Sequence, residues 1–184
     1  MVLKIKNIKS IYIVLMTLSF LCLKNAFCEE SLLFDLDGDN FKEEIKLTAT
    51  FAEDDETVLN GMLIVKSKGE EFRRDIGIFE IGEPYVEIIS VDKSNGPYFI
   101  SISSFAGAHG MNLYLYSFSG QEIKEELSVF SDAPSIEVKD VDKDDANEII
   151  AKSRDYDSDP IKDSYIKVYK YLNKKWQIIS VNYF

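Results

Sequence analysis

The chain has 184 residues, 46% of them hydrophobic and 12% aromatic, enough to bury the core of one domain but hardly of two large ones. Its 32 Asp+Glu against 21 Lys+Arg give a net charge of −11, which argues against nucleic acid as a partner, because that affinity rests on neutralising phosphates. Two Cys and one His cannot build a zinc site from four N/S ligands or a four-cysteine iron–sulfur cluster within one chain, so hard cations held by oxygen are the metals this composition favours.

Residues 1–28 form a segment of their own. Lys4, Lys6 and Lys9 make a basic start, and Ile11 to Leu23 then run for 13 residues without a charge. Neutral residues follow around Ala26-Phe27-Cys28, and Glu29-Glu30 opens an acidic body. This order predicts an export signal peptide over residues 1–28, with an apolar stretch too short to span a membrane comfortably. An uncleaved short anchor is the other reading. Leu21 and Phe27, which precede Cys22 and Cys28, do not match a lipoprotein signal. The leader holds Lys4, Lys6, Lys9 and Lys24 and no acid, so cleavage after Cys28 leaves 17 basic against 32 acidic groups, a net charge of −15, and no cysteine. An exported body without a disulfide relies on its core or on a metal. The expected location is secreted, periplasmic or otherwise at the cell envelope, with no membrane span left after cleavage.

Residues 29–184 read as a single all-β repeat domain. Asp35-Leu-Asp37-Gly-Asp39-Asn-Phe-Lys-Glu43 opens it, and Asp140-Val-Asp142-Lys-Asp144-Asp-Ala-Asn-Glu148 recurs 105 residues later. A worn copy lies between them at Asp92-Lys-Ser-Asn-Gly96-Pro97. An apolar strand follows each loop: Ile45–Phe51, Phe99–Ile102 or Ile149–Ala151. A second, alternating strand comes next: Met62–Val65, Asn112–Tyr116 or Tyr165–Tyr169. Tight turns at Lys68-Gly69, Ser119-Gly120 and Asn173-Lys174 then lead to a closing strand such as Trp176–Val181. Period-2 alternation, β-branched and aromatic enrichment and short Gly/Asn turns predict strands throughout. Gln121–Leu127 reads as strand or loop, and Glu53-Asp-Asp-Glu56 as a solvated hairpin loop. The outcome is three units, residues 31–88, 89–135 and 136–184, each of roughly four strands.

The acidic loops carry the chemistry. Positions 1, 3 and 5 are Asp35, Asp37 and Asp39 in the first loop and Asp140, Asp142 and Asp144 in the last. Position 7 adds a backbone carbonyl from Phe41 or Ala146, and position 9 is Glu43 or Glu148. Five oxygens plus water suit calcium. Carboxylates ~4 Å apart repel by roughly 1–4 kcal/mol per pair, so such a loop asks for a cation. An EF-hand needs Gly at position 6 and Glu at position 12, where this chain has Asn40 or Asp145 and Lys46 or Ala151. The segments that follow alternate as strands, so that motif fails.

The D-x-D-x-D-x-x-x-E loop between two strands resembles the calcium loops of FG-GAP/VCBS-type repeats, found in integrin α-chain propellers and exported bacterial proteins. The resemblance runs through Asp35–Glu43 and Asp140–Glu148, with Asp92–Pro97 as a degenerate copy, and covers most of the body. It implies propeller-like four-stranded units, a β-sandwich being the alternative, with one or two Ca²⁺ ions in hairpin loops and binding rather than catalysis. One extra residue before Ile45 in the first loop makes Glu43 or Glu44 the ninth-position ligand. The middle copy has lost its acids, and Asp92 reads as part of a turn.

His109, in the Gly/Ala-rich stretch 106–110, reads as a loop residue without a nucleophile elbow nearby. Asp155-Tyr-Asp157-Ser-Asp159 reads as a solvated loop, and Trp176, Tyr169 and Tyr171 as core. The expected function is a non-enzymatic calcium-binding module that meets a protein or glycan at the cell envelope. The alternatives are an inhibitor or immunity protein against an envelope enzyme such as lysozyme, or a glycan-active enzyme.

Overall fold

A computed structural model describes residues 31–51, 59–79, 81–92, 96–107, 109–132, 135–155 and 162–183. The expected leader, residues 1–28, Glu53–Glu56 and Asp157–Asp159 lie outside the described residues. The architecture is all-β. Among the described residues twelve strands form three four-stranded antiparallel sheets, each with its own two edges. Among the described residues no helix is long and apolar enough to cross a membrane.

The first sheet is β1 (Ser31–Phe34), β2 (Glu43–Phe51), β3 (Leu59–Ser67) and β4 (Glu70–Phe79), in that order. The middle sheet is β5 (Ile81–Ser90), β6 (Tyr98–Ala106), β7 (Gly110–Phe118) and β8 (Ile123–Ser131). The last sheet is β9 (Glu137–Lys139), β10 (Glu148–Asp155), β11 (Lys162–Leu172) and β12 (Lys175–Tyr183). Within each sheet every strand pairs with its neighbour in sequence. The β3–β4 turn places Lys68 and Gly69 at φ 51° and 87°, and the β11–β12 turn places Asn173 and Lys174 at 52° and 61°. Positive φ at both central residues matches the right-handed twist of the flanking strands.

One reading resolves and another shifts. Gln121–Leu127 belongs largely to the strand β8. The second unit starts at Ile81 rather than residue 89, because the strand that leads into the middle loop is ten residues long and pairs with β6. Counting repeats from the loops placed most of that strand in the wrong unit.

The sheets stack face to face. Alternation in β2 buries Ile45, Leu47 and Ala49, which pack with Leu63 and Val65 of β3 against Ile100, Ile102, Tyr116 and Phe118 of the middle sheet. The opposite face of the middle sheet presents Phe99, Leu113, Leu115 and Val129 to Ile149, Ala151 and Tyr169 of the last sheet. The middle sheet is thus covered on both sides, which is why Phe99, Ile100, Ser101 and Ile102 are buried in an unbroken run. Trp176 and Tyr171 complete the second core with Phe99, their ring centroids 5.2–5.7 Å apart. These aromatics are core, as expected.

Close packing leaves no room at Gly61. A Cβ there would lie 2.3 Å from the Phe79 ring and 2.8 Å from Ile76. Gly61→Ala is expected to cost ~1–3 kcal/mol, the range for overpacking a core, and to lower the denaturation midpoint without changing the slope. Urea unfolding of wild type and variant measures this.

Candidate metal centre

The first acidic loop connects β1 to β2. Two residues in the left-handed region, Gly38 at φ 79° and Asn40 at φ 68°, curl the backbone so that its amides face inward. Asp35 accepts from the N–H groups of Gly38 (2.8 Å), Asp39 (3.1 Å) and Asn40 (2.9 Å). Asp37 accepts from the Asp39 amide at 3.2 Å, and Asp39 from the Phe41 amide at 2.8 Å. Carboxylate oxygens of Asp35, Asp37 and Asp39 lie within 4.8 Å of one another. Gly120, in the turn between β7 and β8, approaches this loop so closely that a Cβ would sit 3.3 Å from Asp37 Oδ2.

The last loop connects β9 to β10 and repeats this pattern. Lys143 and Asp145 take the left-handed conformation, at φ 65° and 69°. Asp140 accepts from the amides of Lys143 (2.7 Å), Asp144 (3.2 Å) and Asp145 (3.2 Å), and Asp144 from that of Ala146 (3.1 Å). Here Asp140, Asp142 and Glu148 offer oxygens within 4.8 Å of one another.

A buried glutamate floors each loop. Glu43 and Glu148 are both 0% exposed. Glu43 Oε2 accepts the Leu36 N–H at 2.9 Å, and Glu148 Oε2 accepts the Val141 N–H at 2.8 Å. Since these contacts recur 105 residues apart, position for position, the first loop has no extra residue. Glu43 is the counterpart of Glu148. Glu44 points to the surface, where it pairs with Lys46 at 3.0 Å and Lys66 at 3.6 Å. Glu43 stands outside the triad of aspartates above it, and Asp144 stands outside the triad of the last loop.

The loops differ in what meets the second oxygen of that glutamate. Glu43 Oε1 accepts the Ser67 hydroxyl at 2.9 Å. Glu148 Oε1 faces the Lys170 ammonium at 2.9 Å, and the same ammonium donates to Asp142 Oδ2 at 2.7 Å and Asp144 Oδ2 at 2.6 Å. The Lys170 side chain is only 8% exposed. Burial works against its charge, but the three carboxylates outweigh that penalty and raise its pKa above the ordinary lysine value. Asp144 is held below the usual carboxylate range, first by Lys170 and then by the Ala146 amide. In the first loop an exposed lysine, Lys68, pairs with Asp39 from outside and lowers its pKa, with help from the Phe41 amide.

Ser67 and Lys170 were not legible as site residues in the sequence. Glu44 pairs with Lys66 and Ile149 with Tyr169, so one further step sets Ser67 opposite Glu43 and Lys170 opposite Glu148, but the two hairpins differ in length and the positions do not align by counting. The signal available was a lysine following Ile166 and Val168 at the next alternate position of β11.

The degenerate middle loop serves as a dock. Asp92 forms a bridge with Ala146, and the Asn147 backbone N–H and side-chain amide donate to Val91 O (2.7 Å) and Ser90 O (2.9 Å). His109 is exposed in the turn between β6 and β7 and belongs to neither acidic cluster. Asp155 ends β10. A cleft lined by Leu33, Phe34, Asp35, Gly38, Lys42 and Tyr98 runs beside the first loop.

Comparisons with family models, curated proteins and solved structures returned no match.

The buried glutamate anchors the loop, so its removal strands a backbone amide and a hydroxyl. Glu43→Leu is expected to cost ~2–4 kcal/mol, whereas Glu44→Leu stays within ~0.5 kcal/mol, as surface changes usually do. Denaturant unfolding of the two variants in calcium-free buffer measures the contrast.

Proposed function

We propose that the chain is an exported calcium-binding β-repeat module that acts by binding rather than by catalysis. The observation that carries this reading is the first loop: three aspartates with oxygens within 4.8 Å, held by backbone amides on an exposed turn. The donor set is oxygen only, which fits a hard cation, and the Phe41 carbonyl is available at position 7. Calcium would draw the three carboxylates together and offset their mutual repulsion. Its role is to stiffen the β1–β2 connection, and with it the cleft beside Tyr98 and the turn at Gly120. The exposed loops at that end meet a protein or glycan outside the cytoplasm. The resemblance to FG-GAP/VCBS repeats and the face-to-face four-stranded sheets support the same reading.

Calcium at ~2 mM and a site affinity of ~10–100 µM would stabilise the fold by roughly 2–3 kcal/mol through linkage. EDTA is therefore expected to lower the melting temperature and calcium to restore it. Magnesium is expected to do so much less, because it gives up its waters reluctantly. Asp37→Ala removes the response. Overlaying melting curves for wild type with and without calcium would reject the site. Export has a separate test. The mature N-terminus is expected within a few residues of Glu29, where charge begins, and intact mass of exported material reads it directly.

A further inference from the structure

We propose that the Lys170 ammonium is the resident cation of the last acidic loop, so that of the two loops only the first takes a metal. The part concerning the first loop rests on the calcium reading above; the part concerning Lys170 stands apart from it. The two loops share their aspartates, their left-handed positions and their buried glutamate, and they diverge at one cross-strand site. Where the first sheet has Ser67, which carries no charge, the last has Lys170. Its ammonium lies 2.7 Å from Asp142 and 2.9 Å from Glu148, two of the three clustered carboxylates, and 2.6 Å from Asp144, the loop's remaining alternate aspartate. A calcium ion there would have to share those oxygens with a positive charge, or expel a side chain that is 8% exposed. The ammonium donates hydrogen bonds to Asp142 and Asp144 and forms an ion pair with Glu148, so it occupies the position between these carboxylates that a metal would need. Lys68 is no equivalent. Among the described residues its ion pair is with Asp39, and at 58% exposure the side chain can turn outward when a metal arrives.

Calcium titration by calorimetry on the mature chain tests this. Wild type is expected to take one ion, Asp142→Ala to leave the isotherm unchanged, and Asp37→Ala to abolish it. Lys170→Ser, which copies the first loop, is expected to take a second ion and to lose it again when Asp142→Ala is added. Lys170→Arg keeps the cation and gains no site. Two ions in wild type, one of them lost with Asp142→Ala, would overturn the proposal whether or not the Lys170 variants fold. A folded Lys170→Ser that takes up no additional calcium would overturn it too. Should wild type bind none while Lys170→Ser binds one, the calcium reading of the first loop fails and the assignment of Lys170 stands.

Discussion

The architecture turns on a carboxylate taken out of water. Glu43 and Glu148 are fully buried at the point where a loop re-enters its sheet, and each accepts a backbone amide from the start of that loop. A buried charge is tolerated only when its oxygens are satisfied. Each glutamate therefore fixes the closure of its loop, and with it the path from the edge strand to the strand beside it. The aspartates above can then converge because the backbone beneath them is pinned. The same constraint reaches across the hairpin, since the second oxygen needs a donor from the next strand. A hydroxyl donates to it in one sheet, and an ammonium faces it as an ion pair in the other. The two loops thus differ in electrostatic character and in which carboxylates cluster, while Asp35 and Asp140 keep the same backbone hydrogen bonds.

Much of this was written in the residue pattern. Alternation and turn residues placed the strands, and the spacing of aspartates placed both loops, because each signal is local: period 2 for a pleat, alternate acids on a tight curve. Glu43 and Glu44 were not separable from sequence, since both precede an apolar run. Only the face on which each side chain falls distinguishes the anchor from the surface ion pair. The start of the middle unit was misplaced because the loops, not the strands, supplied the landmarks. Lys170 was invisible for a different reason. Its role depends on cross-strand register, which follows from hairpin length, and the hairpins of the first and last sheets differ. Likewise the docking of Asn147 on Ser90 and Val91 is a contact between sheets, and nothing in either segment alone announces it.

The stacking of the sheets also assigns unequal duties to their residues. In the first sheet, one face of the central strands is core and the other carries the ion pairs among Glu44, Lys46, Lys66 and Glu71, which are solvated and individually worth little. The middle sheet has no such free face over β6. Its serines at 101 and 104 are buried along with its apolar residues. The stack is therefore held by two separate apolar layers that meet only through the strands of the middle sheet.

That every strand pairs with its neighbour in sequence has a kinetic consequence. Closing a hairpin brings together residues a few positions apart, so the loss of chain entropy at each step is small and contact order is low for an all-β protein. A sheet of this kind need not wait for distant segments to find one another. The middle sheet is the exception, because its two apolar faces stay wet until both flanking sheets arrive.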